Sequence, residues 1–214
     1  MKRYFLIGLL ITLSTLIAGW LVYSHLPEHV PTHWDMHGRV NGYSSRAAAV
    51  LLMPAIMTGM MLLFAALPAL SPRHFEIGPF LLTYLYIMIV IIASMAYFQA
   101  VVLWAAFSST LQISRAISGG ICVLWILMAN VMGKVKRNFF VGVRTPWTLA
   151  NERVWNATHR FAAHLWVWCG FIGLLLAFFS PQPWAVFAWI IIAALVPAVY
   201  SFMYYKRLER QGEV

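Results

Sequence analysis

Acid is what this sequence most lacks. Six Asp and Glu stand against fifteen Lys and Arg in 214 residues, and charged residues of both signs make up only 10% of the chain. A soluble domain of this length has enough chain for a core, but it needs roughly a quarter of its residues charged to cover that core. Here 62% of the residues are apolar or aromatic, so the solvent for most of the chain is lipid. The same figures exclude collagen-like, disordered and disulfide-scaffold classes. Cysteine is nearly missing too. Cys122 and Cys169 fall inside separate apolar runs, where thiols usually pack, and they read as neither a disulfide framework nor a redox pair. There is no Gly-rich phosphate loop, no H-E-x-x-H helix motif, no internal repeat and no low-complexity tract, which removes the usual sequence basis for nucleotide chemistry and metalloproteolysis.

The net charge of +9 raises the question of nucleic acid. The basic residues lie in short clusters between long uncharged runs, which is how membrane proteins distribute them, so no direct nucleic-acid contact is expected. A hydrocarbon core of about 30 Å needs about 20 apolar residues in a helix. Six stretches qualify: 4–24, 47–70, 79–107, 116–133, 161–180 and 184–205, none containing Asp, Glu, Lys or Arg. The first is longer than a signal peptide's apolar region and no small-x-small cleavage site follows it, so it reads as an anchor. The expectation is an all-α integral membrane protein, a single domain over 1–214 built as a six-transmembrane-helix bundle. Its parts are the first two spans with their outer loop (1–70, loop 25–46), spans three and four (79–133), an inner loop (134–160), spans five and six (161–205) and a basic tail (206–214). With the N-terminus inside, twelve of the fifteen Lys and Arg fall in inner segments, and Arg39, Arg46 and Arg115 in outer ones. That asymmetry predicts both termini in the cytoplasm and anionic inner-leaflet lipids as partners.

The spans also deny a class. Proton-coupled transport generally needs ionisable groups near mid-membrane, and all six acids lie in loops or the tail. The polar residues left are few. Gln99 and Asn130 are expected to make interhelical hydrogen bonds, and His164 to snorkel at the inner boundary.

Two loops are long enough to carry function. The outer one contains His25, His29, His33 and His37 at four-residue spacing, with Glu28 and Asp35 nearby. On a helix this would stack imidazoles on one face for zinc or copper. Pro27 and Pro31 break that helix, leaving His25, His29, His33, Asp35 and His37 as metal candidates only if the loop folds back; otherwise they cap the bundle. Asn41-Gly42 signals a turn, Ser44 or Ser45 can cap the second span, and Trp34 and Tyr43 suit the interface. Ser180-Pro181-Gln182-Pro183 reads as a tight outer turn.

The inner loop has Thr145 before Pro146, an N-cap followed by proline at the first helical position, with Thr148 as an alternative cap. Leu149, Trp155, Ala162 and Leu165 then recur at near-helical intervals, predicting an amphipathic interfacial helix that runs into the fifth span. Lys134, Lys136 and Arg137 suit anionic lipid. Arg144 stands apart, between Gly142 and Thr145-Pro146, where it reads either as a structural clamp or as a docking residue for a carboxylate or phosphate.

These residues carry a resemblance. Asn138-x-x-x-Gly142-x-Arg144-Thr145-Pro146-Trp147-Thr148, then Asn151, Trp155 and Thr158-His159-Arg160, resembles the signature of the SdpI family of bacterial membrane proteins. Leu26-Pro27…Val30-Pro31-x-His33-Trp34…Gly38…Gly42-Tyr43…Ser45 resembles the small domain of unknown function that commonly precedes it. The family pattern usually has an acid where Asn41 stands here, and it does not include His29 or His37. The resemblance implies a non-enzymatic immunity protein without cofactors, in the bacterial cytoplasmic membrane. It would meet a secreted peptide toxin at its outer face and, in some members, a cytoplasmic repressor inside. The rival readings are a metal-dependent membrane enzyme using the outer histidines, or His159 with Arg160, and a transporter of small amphipathic molecules.

Overall fold

The computed structural model describes residues 1–35, 37–108, 112–180 and 183–213. Six of its helices are long and apolar enough to cross a membrane. They are α1 (Lys2–Val22), α2 (Arg46–Leu70), α3 (Leu81–Ala105), α4 (Ile113–Met132), α6 (Glu152–Phe179) and α7 (Pro183–Arg210); a short α5 (Pro146–Ala150) lies between the fourth and sixth. The protein is a multi-pass, helical membrane protein. To this the outer loop adds one element of another class. β1 (His29–Trp34) and β2 (Val40–Ser45) pair as an antiparallel hairpin, so the outer cap is a β-ribbon on an otherwise helical bundle.

Several boundaries depart from the sequence reading. The turn of the hairpin is not Asn41-Gly42, which lies inside β2. It falls between Asp35 and Arg39, where the Asp35 carboxylate accepts the backbone N–H of His37 and of Arg39, both at 2.9 Å, and Gly38 takes a positive φ of 79°. Gly42 is needed for space instead, since a Cβ there would lie 2.8 Å from the Cβ of His33 on the facing strand. α4 starts three residues earlier than expected, which places Arg115 in its first turn. α7 runs to Arg210 and absorbs most of the basic tail. The inner helix does not run unbroken into the fifth span. Asn151 is extended (φ −135°, ψ 127°), ending α5, and its side chain accepts from the N–H of Arg153 and Val154 to start α6 afresh. Pro181 and Gln182 of the expected outer turn lie outside the described residues.

In hydrocarbon no water is available to a carbonyl that loses its helical partner. Proline creates such a carbonyl four residues upstream, and this bundle fills two of them from neighbouring helices. Pro68 frees the carbonyl of Phe64, which accepts the Tyr84 hydroxyl of α3 at 2.9 Å. Pro197 frees the carbonyl of Ala193, which accepts the Trp166 indole N–H of α6 at 2.9 Å. Gln99 makes its expected interhelical bond, donating to the carbonyl of Ala49 at 2.7 Å. Asn130 makes none among the described residues; it is exposed on α4, as His164 is on α6. Small residues set the closest approach, with Gly170 against Ile126 and Gly173 against the Cys122 sulfur, where an added Cβ would fall 2.4 and 2.7 Å away. This is the packing that membranes reward when no hydrophobic drive separates helix from lipid.

The proline arrangement makes a testable statement. Tyr84→Phe should cost about 1 kcal/mol in the wild-type background. It should cost close to nothing in a Pro68→Ala background, because that substitution restores a backbone N–H for the Phe64 carbonyl. Reversible unfolding of the four proteins in mixed micelles reads the difference as a double-mutant cycle.

Candidate functional site

Two built regions lie at opposite ends of the bundle, and they are called inner and outer after the sides that the charge asymmetry predicts. The inner one is the segment from Lys134 to Arg160, and nearly every signature residue in it satisfies another part of the same loop. Asn138 is fully buried and makes four bonds. Its amide donates to the carbonyls of Lys136 and Val141, and its oxygen accepts the N–H of Phe140 and of Val141. Thr145 and Thr148 form a reciprocal capping box around Pro146, and the Thr148 hydroxyl also donates to the carbonyl of Val143 at 2.8 Å. Trp155, fully buried, donates its indole N–H to the carbonyl of Val135 and stacks on His159 with ring centroids 4.0 Å apart.

His159 is the pivot. Nδ1–H donates to the carbonyl of Trp155 at 2.8 Å, so Nε2 is left to accept the N–H of Val143 at 3.0 Å, which defines a neutral tautomer with both nitrogens used. Gly142 passes directly over this ring with φ 115°, and a Cβ there would lie 2.3 Å from Nε2. Only glycine meets both demands. The Arg144 guanidinium donates to the carbonyl of Phe139, tying the loop across its mouth while the side chain stays exposed. The loop is also tied outward. The Thr145 hydroxyl bonds Ser201 of α7 at 2.9 Å, and Trp147 packs on Phe202 with centroids 4.9 Å apart. Thr158 is fully buried, its hydroxyl without a hydrogen-bond partner among the described residues, and Arg160 is exposed.

The outer region is the hairpin and what lies beneath it. Leu26 and Val30 are buried with Val50 and Leu103, which seats the hairpin on the ends of α1, α2 and α3. Its tip rests on α4, where a Cβ on Gly38 would lie 2.7 Å from the Ser114 hydroxyl. Between these two attachments β1 bridges a cavity of about 590 Å³. Thr32, His33, Trp34 and Asp35 form its roof. Its walls are apolar: Met53 of α2, Phe98 and Val102 of α3, Ile113, Ile117 and Ile121 of α4, and Phe187 of α7. A smaller, more polar cavity of about 270 Å³ adjoins it, shares Ile113 and Ser114, and includes His37, Gln112 and Arg115. The strand register slips on both sides of His33, leaving Thr32 as an unpaired bulge residue above the cavity.

The roof is pinned rather than loose. His33 and Asn41 bond across the strands through Nδ1 and Oδ1, and Thr32 bonds Ser44 at 3.0 Å. Arg39 pairs with Asp35 at 2.9 Å, and the Arg39 N–H beside the Asp35 carboxyl is the main reason that group is held below its usual range. Among the described residues no three His, Cys, Asp or Glu come together as a metal-holding group. His25 sits beside Ser24, His33 on Asn41, and His37 3.9 Å from Asp35, so the histidines that sequence spacing suggested as ligands do not converge. Tyr43 is exposed on the far strand. Sequence reading named His33 and Trp34 but missed the cavity walls, because Phe98, Ile117 and Phe187 look like ordinary lipid-facing residues until the hairpin is placed over them.

Comparison with known proteins follows this division. Residues 134–201 match the SdpI/YfhL protein family, from the start of the inner loop to the α7 serine that bonds Thr145, and residues 10–58 match DUF1648, a domain of unknown function that spans the hairpin and its flanking helices. The segment that matches the SdpI family model thus runs from this loop through α6 and into α7. The chain is 26% identical over 205 residues to the immunity protein SdpI of Bacillus subtilis (strain 168), covering 95% of this chain and 96% of that one. No solved structure matches it.

The glycine that passes over His159 gives the sharpest test of this loop as a folded clamp. Gly142→Ala should destabilise the protein by more than about 2 kcal/mol, from backbone strain and the clash combined. Gly133→Ala, where a Cβ finds only ordinary contacts at 3.7 Å and beyond, should change stability by less than about 1 kcal/mol. Thermal unfolding in detergent, with limited proteolysis of the 134–151 segment, separates the two.

Proposed function

We propose that this protein is a non-enzymatic immunity protein of the bacterial cytoplasmic membrane, with both termini inside, which protects its host from a secreted, membrane-active peptide. The observation that carries this reading is the apolar cavity roofed by the hairpin. It lies at the end of the bundle that the charge asymmetry assigns to the outside, where a killing peptide first meets the membrane. An apolar side chain or short segment of such a peptide gains about 25 cal/mol for each Å² it buries there, with β1 above it as the polar rim. Relatedness to an immunity protein along nearly the whole chain supports the same reading.

Signalling to a cytoplasmic repressor is the second part of the proposal. α7 is the route: Phe187 lines the outer cavity, while Ser201 and Phe202 hold the signature loop at the other end of the same helix. A peptide that binds two arrangements of α7 unequally would shift the inner loop, as linkage requires. The Arg144 side chain, tied to the loop by one bond and otherwise exposed, is then the residue to present to a partner.

Survival of a sensitive bacterium challenged with membrane-active peptides tests the first part. Wild type should protect. Ile117→Trp, which fills the cavity, and His33→Ala, which unpins its roof, should raise sensitivity about tenfold or more at equal membrane abundance. Leu62→Trp on the lipid-facing side of α2 should not. If Arg144→Ala survives challenge as wild type does but loses induction of a reporter, the residue docks a partner; if it is degraded, the residue is a clamp only. Wild type that protects against no peptide removes the proposal.

A further inference from the structure

α7 carries a second built feature, on its lipid-facing side and remote from the hairpin cavity. A groove of about 410 Å³ runs along it from Ile192 to Met203, floored by Leu195, Val196 and Val199 and walled by Phe161 of α6. Tyr200 stacks on Phe161 within it, with centroids 4.4 Å apart and planes at 13°. The groove is almost wholly apolar. At Met203 it meets another, of about 370 Å³, where the cationic heads of Lys206, Arg207 and Arg210 join a wall that Phe202 and Met203 keep largely apolar. Lys206 is paired with Glu209 at 2.6 Å, whereas Arg207 and Arg210 are exposed and have no ion pair among the described residues.

Length identifies what fits. Eleven residues of helix separate Ile192 from Met203, about 16 Å at 1.5 Å per residue. One leaflet of the hydrocarbon core is about half of 30 Å. The apolar part is therefore one acyl chain deep, and the basic part begins where a headgroup phosphate lies. Two unpaired guanidiniums favour a phosphodiester without a compensating cation, since a zwitterionic headgroup brings its own ammonium.

We propose that this continuous groove is a binding site for one anionic phospholipid of the inner leaflet, with an acyl chain against Val199 and Leu195 and the phosphate held by Arg207 and Arg210. This site differs from the diffuse attraction of the loop bases Lys134, Lys136 and Arg137. It lies on the helix that holds Thr145 through Ser201 and Trp147 through Phe202, so the lipid fixes the inner end of α7 against the signature loop.

Native mass spectrometry of the full chain, released from micelles holding equal amounts of phosphatidylglycerol and phosphatidylcholine, tests it. Wild type should retain phosphatidylglycerol over phosphatidylcholine by roughly tenfold or more. Arg207→Gln with Arg210→Gln should bring the two within about twofold, and Val199→Trp, which blocks the acyl groove, should lose both. Lys134→Gln with Lys136→Gln should leave the preference unchanged. Equal retention by wild type overturns the site, as does an equal loss in the loop variant, which would mean a diffuse field. A dimer that Val199→Trp dissociates would give the groove to a second copy and overturn it as well.

Discussion

A backbone polar group inside a bilayer must find its partner within the protein, and much of this structure follows from that constraint. Pro68 of α2 and Pro197 of α7 are tolerated because Tyr84 and Trp166 reach across to the carbonyls they free. The same accounting governs the inner loop, where the chain leaves the regular helix at the membrane boundary and turns back within a dozen residues. Asn138 makes four bonds to backbone groups, Thr145 and Thr148 satisfy one helix start, Asn151 the next, and His159 takes the N–H of Val143. The loop that opens the segment matching the SdpI family model is thus largely a set of side chains that stand in for backbone partners.

This explains how much was legible beforehand. The six spans were plain, because length and apolarity are what a bilayer demands. The caps were legible to within a choice of two, Ser44 or Ser45 and Thr145 or Thr148, since capping is local chemistry; Ser45 and Thr145 are the ones used. The break at Asn151 was not, because Leu149, Trp155 and Ala162 keep a helical interval across it and periodicity cannot see one extended residue. The hairpin was missed for a related reason. Pro27, Pro31 and four histidines gave no alternation to read, and Asn41-Gly42 advertised a turn that the Asp35 carboxylate and Gly38 had already made upstream. Three-dimensional facts, such as a glycine chosen for the ring it passes over, leave only the glycine in the sequence.

The division of labour between the two ends is physical as well. At the hairpin end, a pinned two-stranded roof stands over apolar walls drawn from four helices, where affinity for a peptide would come from buried area. At the opposite end, the polar side chains are spent on holding the loop, and the exposed cations are what remain for partners. α7 touches both. Its outer end contributes Phe187 to the cavity and its inner end contributes Ser201 and Phe202 to the clamp. Pro197 lies between them, on the helix segment whose freed carbonyl is held by Trp166.

The central claim is that a killing peptide is received in the cavity beneath the hairpin. Site-specific photo-crosslinking tests it most directly, with the photoreactive side chain placed at Phe98 in the cavity or at Leu62 on the lipid-facing side of α2, in cells challenged with a peptide against which the protein protects. The account predicts a crosslink to the peptide from position 98 that competes with unlabelled peptide, and none from position 62. Equal crosslinking from both positions, or none from 98 while protection persists, would contradict it.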